Sequence, residues 1–201
     1  MLATGPPPVR DVKAIYRGCT TMKDRLTTIS KYLARHLRHA PEDLGLALEP
    51  GGWVLVADLL EASARAGFPI TRPELVRCVE SNDKQRFSFD ETGERIRANQ
   101  GHSVEVDLQL EESTPPEVLY HGTVARFLAG IWAEGLDKGS RHHVHLSLDV
   151  ATARKVGARR GKPIILQVDA ARMHRDGHKF YRSANGVWLT DSVPAEYLVQ
   201  T

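Results

Sequence analysis

The chain of 201 residues has two cysteines, Cys19 and Cys78. They form neither a CxxC pair nor the repeated framework that staples small secreted domains, so a reducing, intracellular setting is expected. No apolar run approaches the ~18 residues of a membrane span, and the N-terminus lacks a basic segment leading into an apolar stretch. A soluble cytoplasmic protein without a membrane partner is expected. Net charge is nearly absent as well: 27 lysines and arginines face 25 acidic residues, a formal +2. That balance names no nucleic-acid partner, so any basic site must arise from local clustering. Several motifs are also missing. There is no HExxH for zinc and no GxGxxG for a Rossmann dinucleotide site, and Gly157 to Lys162 is one spacer short of a P-loop, with Pro163 where a magnesium-binding hydroxyl belongs.

What is present falls into two halves of an α+β protein. Residues 1–24, with Gly5-Pro6-Pro7-Pro8, read as an irregular leader. From Leu26, Ile29, Leu33 and Leu37 recur at helical spacing until Pro41 disfavours helix at Ala40. A second helix is expected from about Asp58 to Ala66, closed by Gly67, and a third starts at Thr71, whose pairing with Glu74 reads as a capping box. Arg86-Phe87-Ser88-Phe89 and Glu94-Arg95-Ile96-Arg97-Ala98 flank Glu91-Thr92-Gly93 as a hairpin. Three helices and a hairpin suggest a winged-helix lobe over 25–110. Pro115-Pro116, set among acidic residues, marks a linker at 111–117. Strands dominate 118–201: Val118 to His121, Val144 to Ser147, Ile164 to Val168 and, after the Asn185-Gly186 turn, Val187 to Thr190, with one helix near Val124 to Glu134.

Chemistry-bearing residues cluster along this frame. Lys31, Arg35, Arg38 and His39 share the helix face opposite the leucines, which is either a solvated face or a phosphate-binding stripe. Arg97 to Ser103 joins arginine, amide, histidine and hydroxyl at a strand exit. Tyr120-His121-Gly122-Thr123 ends a strand just before a helix, as a ligand-facing corner would. Alternation puts His143, His145 and Ser147 on one strand face. His142, His143 and His145 invite a zinc reading, but no cysteine or acid accompanies them, and no metal is expected.

Taken in order, these segments resemble the RNA 2′-phosphotransferases, tRNA splicing enzymes of the KptA type. The resemblance runs through Ser30-Lys31, Leu37-Arg38-His39-Ala40-Pro41, Gly52-Trp53, Asn82-Asp83-Lys84-Gln85-Arg86-Phe87, Gln100-Gly101-His102-Ser103, His121-Gly122-Thr123, His143 to Ser147 and Asn185-Gly186-Val187-Trp188-Leu189. It implies an N-terminal winged-helix RNA lobe and a C-terminal ADP-ribosyltransferase-like, β-rich lobe, with NAD held between them. The implied reaction has an internal RNA 2′-phosphate attack the nicotinamide ribose. The resulting ADP-ribosylated RNA then yields 2′-hydroxyl RNA and ADP-ribose 1″,2″-cyclic phosphate, without metal.

By the same resemblance, Arg38, Arg86 and Arg141 clamp the phosphate and His39 transfers or shares a proton. His121, Gly122, Thr123, His145 and Ser147 cradle NAD, and Val187 stands where related transferases carry a glutamate. Lys31, Arg35, Arg97, His102 and Ser103 are RNA or phosphate contacts, and His36, in the repeated Arg-His pair, is a flanking contact. The partner implied is 2′-phosphorylated RNA, with tRNA foremost, acted on by a monomer. Two other readings compete: an ADP-ribosyltransferase that caps terminal phosphates of RNA or DNA, and a non-catalytic winged-helix nucleic-acid binder.

Overall fold

The computed structural model describes residues 21–81 and 84–201. Most of the expected leader, together with Cys19 and Asn82-Asp83, lies outside the described residues. The chain divides into two compact units, one ending at Ala98 and the other running Asn99–Thr201. Both mix helices with small antiparallel sheets, an α+β architecture.

The first unit begins with helix α1, Met22–His36, whose N-cap Thr21 accepts from the Asp24 backbone N–H. Met22 to Asp24 are therefore the first helical turn and not leader. Ile29, Tyr32, Leu33 and Leu37 are fully buried, as the spacing required. The helix stops at His36, one turn earlier than the basic stripe needs. The amides of His39 and Ala40 both donate to the Arg35 carbonyl, at 2.9 and 3.0 Å, so the chain turns out of the helix ahead of Pro41. Arg38 and His39 thus sit in the turn that follows the helix.

A 3₁₀ turn, Pro41–Leu44, leads to β1, Trp53–Leu55, and directly into α2, Val56–Arg65. Then α3, Arg72–Glu80, opens with the expected capping box: Thr71 Oγ1 accepts from the Glu74 N–H, and Glu74 accepts from the Thr71 N–H. The hairpin β2, Phe87–Phe89, and β3, Arg95–Ala98, joins β1 in an antiparallel sheet of order β1-β3-β2. Phe87, Ile96 and Val54 press its inner face onto Leu33, Leu59 and Leu75. The sequence pattern missed β1, because three residues are too few to display alternation.

In the second unit, β4, Val118–Val124, pairs along its whole length with β7, Pro163–Asp169, whose other edge carries β11, Leu198–Gln200. A second sheet has the order β6-β9-β8, from Val144–Leu146, Trp188–Thr190 and Tyr181–Arg182. A two-stranded ladder pairs β5, Leu136–Asp137, with β10, Ser192–Val193. Around them lie α4, Ala125–Glu134, α5, Val150–Gly157, and α6, Ala170–Arg175. Leu119, Leu166, Val168, Met173, Phe180 and Trp188 form the core.

Residues 99–110, read from sequence as part of the first lobe, fall within this unit. His145 hydrogen-bonds Gln100 and His142 hydrogen-bonds the Val104 carbonyl. The segment read as a linker is also held here, by the Glu112 bridge to Tyr181 and by the Ser113 N–H on the Phe180 carbonyl. Paired prolines mark extended backbone, and extended backbone can be fastened to a sheet as readily as left in solvent.

Glu74 serves two helices at once. Besides capping α3, its Oε1 accepts from Arg25 Nε of α1 at 2.9 Å, and this hydrogen bond is the main reason its carboxyl is pulled down to about 2. A carboxyl depressed on folding contributes stability above its unfolded pKa and loses it as pH falls towards the folded value. Glu74→Gln, which keeps a capping acceptor but not the charge, should lower unfolding free energy by about 1 kcal/mol at neutral pH. In urea titrations the difference from wild type should shrink between pH 5 and pH 2. A pH-independent difference would contradict the assignment.

Candidate active site

The first unit brings together residues that are far apart in sequence. Arg38, half-buried in the turn after α1, donates through Nη2 to the backbone carbonyl of Arg86 at 3.4 Å, and its guanidinium lies 5.8 Å from the Phe87 ring centroid. Exposed His39 follows immediately. Arg86 enters β2 directly after Gln85, which holds φ at 40°. A non-glycine residue in the left-handed region stores about 1–2 kcal/mol, and such strain collects where backbone must place a functional group. The result is a corner built from Arg38, His39 and Arg86.

The second unit assembles another corner. Tyr120 and Ser147 exchange backbone hydrogen bonds at 2.9 and 2.8 Å, fastening β4 to the end of β6. One residue on, His121 Nδ1 lies 3.2 Å from the His145 carbonyl. A carbonyl can only accept, so Nδ1 carries the proton. Burial then pushes the His121 pKa down, only partly offset by this hydrogen bond, so at neutral pH the ring is uncharged with Nε2 as an acceptor. His145 is held in turn by Nε2–H donation to Gln100 Oε1 at 2.8 Å. Thr123 is buried at its pairing with Ile164. Val187 donates its N–H to Ser183 Oγ in the Asn185-Gly186 turn. Arg141 precedes β6, where partial desolvation of its guanidinium first, then Arg160 and Arg159, lowers its pKa.

Gly122 has a packing reason for lacking a side chain. A Cβ there would overlap the Ala153 carbonyl of α5 and lie 2.9 Å from the Gly157 nitrogen. The close approach that sequence reading assigned to a ligand is made by the backbone of α5.

Other expected contacts are placed differently. Arg35 is engaged by Asp43 at 2.8 Å. His36 is buried against Tyr32, with Nδ1 on the Ala40 carbonyl, and so is a core residue and not a flanking contact. Arg97 lies 4.5 Å over Trp53 and reaches the Gly51 carbonyl. His102 is fully buried, so its ring is not a surface phosphate contact, whereas Ser103 and Lys31 are exposed. The three clustered histidines turn to three different partners: His142 to Val104, His143 towards Asp191 and His145 to Gln100. Among the described residues no group of three or more histidine, cysteine or acidic side chains is placed to hold a metal ion. Likewise, no described helix is long and apolar enough to cross a membrane. Gln100 stood in the sequence only as part of the Gln100-Gly101-His102-Ser103 motif and without a role of its own, because its partner His145 is 45 residues away.

Comparison with known proteins gives first a class: the curated proteins that match are named as phosphotransferases of RNA. A probable RNA 2′-phosphotransferase of Nostoc punctiforme is 61% identical over 174 residues, 87% of this chain and 96% of the relative. One from Streptomyces coelicolor is 58% identical over 176 residues, 88% and 96% of the two chains, and one from Burkholderia lata is 53% identical over 173 residues, 86% and 89%. The family model for "RNA 2′-phosphotransferase, Tpt1 / KptA family" matches residues 24–192, and the chain belongs to that family.

Two substitutions check this geometry. Gln85→Gly should relieve the backbone at φ 40°, leaving stability unchanged or up to about 1 kcal/mol higher, while freeing Arg86 and reducing phosphotransfer. Equal or higher activity would show that the strained turn does not position Arg86. Gly122→Ala should cost about 3 kcal/mol or prevent folding, read as a fall in thermal midpoint, because the new methyl meets α5 backbone. An unchanged midpoint would contradict the crossing.

Proposed function

We propose that this RNA 2′-phosphotransferase removes an internal RNA 2′-phosphate, of the tRNA splice-junction type, using NAD as a consumed co-substrate. The observation that carries this reading is the joining of Arg38 to the Arg86 backbone beside His39. A dianionic phosphate needs preorganised cations, and a guanidinium can take two of its oxygens at once. Arg38 and Arg86 neutralise the phosphate oxygens and continue to do so as charge builds at phosphorus. The family resemblance assigns Arg141 the same role. His39, exposed and next to Arg38, holds or moves the proton exchanged with the ribose hydroxyl that attacks phosphorus.

The donor set of the second corner suits the ribose hydroxyls and amide of NAD. Neutral His121 offers Nε2 as an acceptor, Ser147 contributes a hydroxyl, and Gln100 fixes the His145 ring. Gly122 and Thr123 take part through backbone, since the one is closed off by α5 and the other is buried. When bound, NAD supplies the ADP-ribosyl group that accepts the phosphate. Val187, uncharged where related transferases carry a glutamate, leaves an already nucleophilic phosphate unopposed by a carboxylate. In this reading the three-helix unit with its hairpin acts as a winged-helix RNA lobe and the second unit as an ADP-ribosyltransferase-like lobe.

Arg38→Ala and Arg86→Ala should each slow nicotinamide release from NAD in the presence of a 2′-phosphorylated oligoribonucleotide by on the order of 100-fold or more. Their circular dichroism should match wild type, since neither residue is a core side chain. Near-normal turnover by a folded variant would sink the assignment. A 5′-phosphorylated oligoribonucleotide should react poorly under the same conditions. Preferential reaction with it would favour the end-capping alternative.

A further inference from the structure

Helix α4 opens with Arg126 and Phe127, both exposed, while the next residue, Leu128, packs onto the core. Phe127 is 38% exposed, and two guanidinium groups stand by its ring: Arg126 at 4.9 Å and Arg160 at 5.7 Å from the centroid. Arg160 ends the 3₁₀ turn Ala158–Arg160 after α5, so two separate elements bring cations to one aromatic ring.

Several exposed arginines elsewhere are paired with acids, Arg35 with Asp43, Arg65 with Glu61, Arg72 with Glu94 and Arg172 with Asp176. Others, such as Arg77, Arg154, Arg175 and Arg182, are single exposed cations without an ion pair to a described carboxylate. What sets this patch apart is the exposed ring beside its cations. Among the described residues Arg126, Arg159 and Arg160 make no ion pair with a carboxylate. Their field is felt nearby, where Arg160 and Arg159 make Arg141 easier to deprotonate and Arg160 does the same to His121. Uncompensated like charges of this kind are relieved by a bound anion. An exposed aromatic ring among guanidinium groups, with no acid, is the chemistry that single-stranded nucleic acid selects: the base stacks and the phosphate takes the cations.

We propose that Arg126, Phe127 and Arg160 form a stacking and phosphate-binding patch for a nucleotide of the RNA substrate other than the one bearing the 2′-phosphate. The proposal rests on the RNA reading above. An RNA strand is favoured over NAD because the ring lies on an open helix surface. A small co-substrate is enclosed by its site, whereas a polymer continues along exposed surface past the reacting group.

Steady-state kinetics with NAD and a short 2′-phosphorylated oligoribonucleotide test it. Phe127→Ala should raise the KM for RNA about tenfold and leave the KM for NAD unchanged, while Phe127→Trp should restore the RNA value. Arg126→Ala should raise the KM for RNA and flatten its dependence on salt. Circular dichroism secures the fold, and binding of the fluorescein-labelled oligoribonucleotide by anisotropy should weaken in parallel. An unchanged KM and affinity for RNA in folded Phe127→Ala would overturn the patch alone, and a rise in the KM for NAD instead would assign the ring to the co-substrate and overturn it too. If wild type released no nicotinamide, the RNA 2′-phosphate reading itself would fail, and the proposal with it.

Discussion

Guanidinium groups gathered to meet a phosphate repel one another until the phosphate arrives, so the backbone must hold them there in advance. In the site proposed for the first unit, that task falls to the hydrogen bond from Arg38 Nη2 to the carbonyl of Arg86. It ties the turn after α1 to the entry of β2. The turn exists because the His39 and Ala40 amides close on Arg35 before Pro41, and the strand entry is aimed by Gln85 in the left-handed region. Behind both, Glu74 joins the start of α3 to Arg25 of α1, while Leu33 and Leu75 share the core. In the proposed reading, cap, core and strained turn all serve the placement of two arginines.

The second unit solves a different problem, that of holding neutral hydrogen-bonding groups in fixed orientations. The Tyr120–Ser147 backbone exchange aligns β4 with the end of β6, and the His145 carbonyl and Gln100 amide set which ring nitrogens of His121 and His145 carry protons. Gly122 and Gly157 let α5 lie against β4 at a distance that side chains would forbid. In the proposed reading this rigid corner suits ribose hydroxyls, and burial of His121 favours the uncharged form of its ring.

Much of this was legible in the sequence wherever a pattern ran long enough to express a period or a cap. Ile29, Leu33 and Leu37 announced α1, Thr71 with Glu74 announced α3, and the Phe87 and Ile96 strands announced the hairpin. Strands of two or three residues, such as β1, β5 and β8, and the short helices α5 and α6 carry too few residues to show periodicity. The candidate site was legible as a list of residues but not as a surface. Spacing read Arg38 and His39 as helical, whereas the helix proper ends at His36 and both lie in the turn after it. The occupied states of Arg35, His36 and Gly122 depend on Asp43, Ala40 and Ala153, tertiary neighbours that no local pattern reveals.

The central claim is that phosphate leaves RNA through transfer to the ribose of NAD, and it is tested most directly by the sugar-phosphate product. Purified protein incubated with NAD and an internally 2′-phosphorylated RNA should yield 2′-hydroxyl RNA, nicotinamide and ADP-ribose 1″,2″-cyclic phosphate in equal amounts, identified by mass spectrometry. Inorganic phosphate released without consumption of NAD would contradict the account.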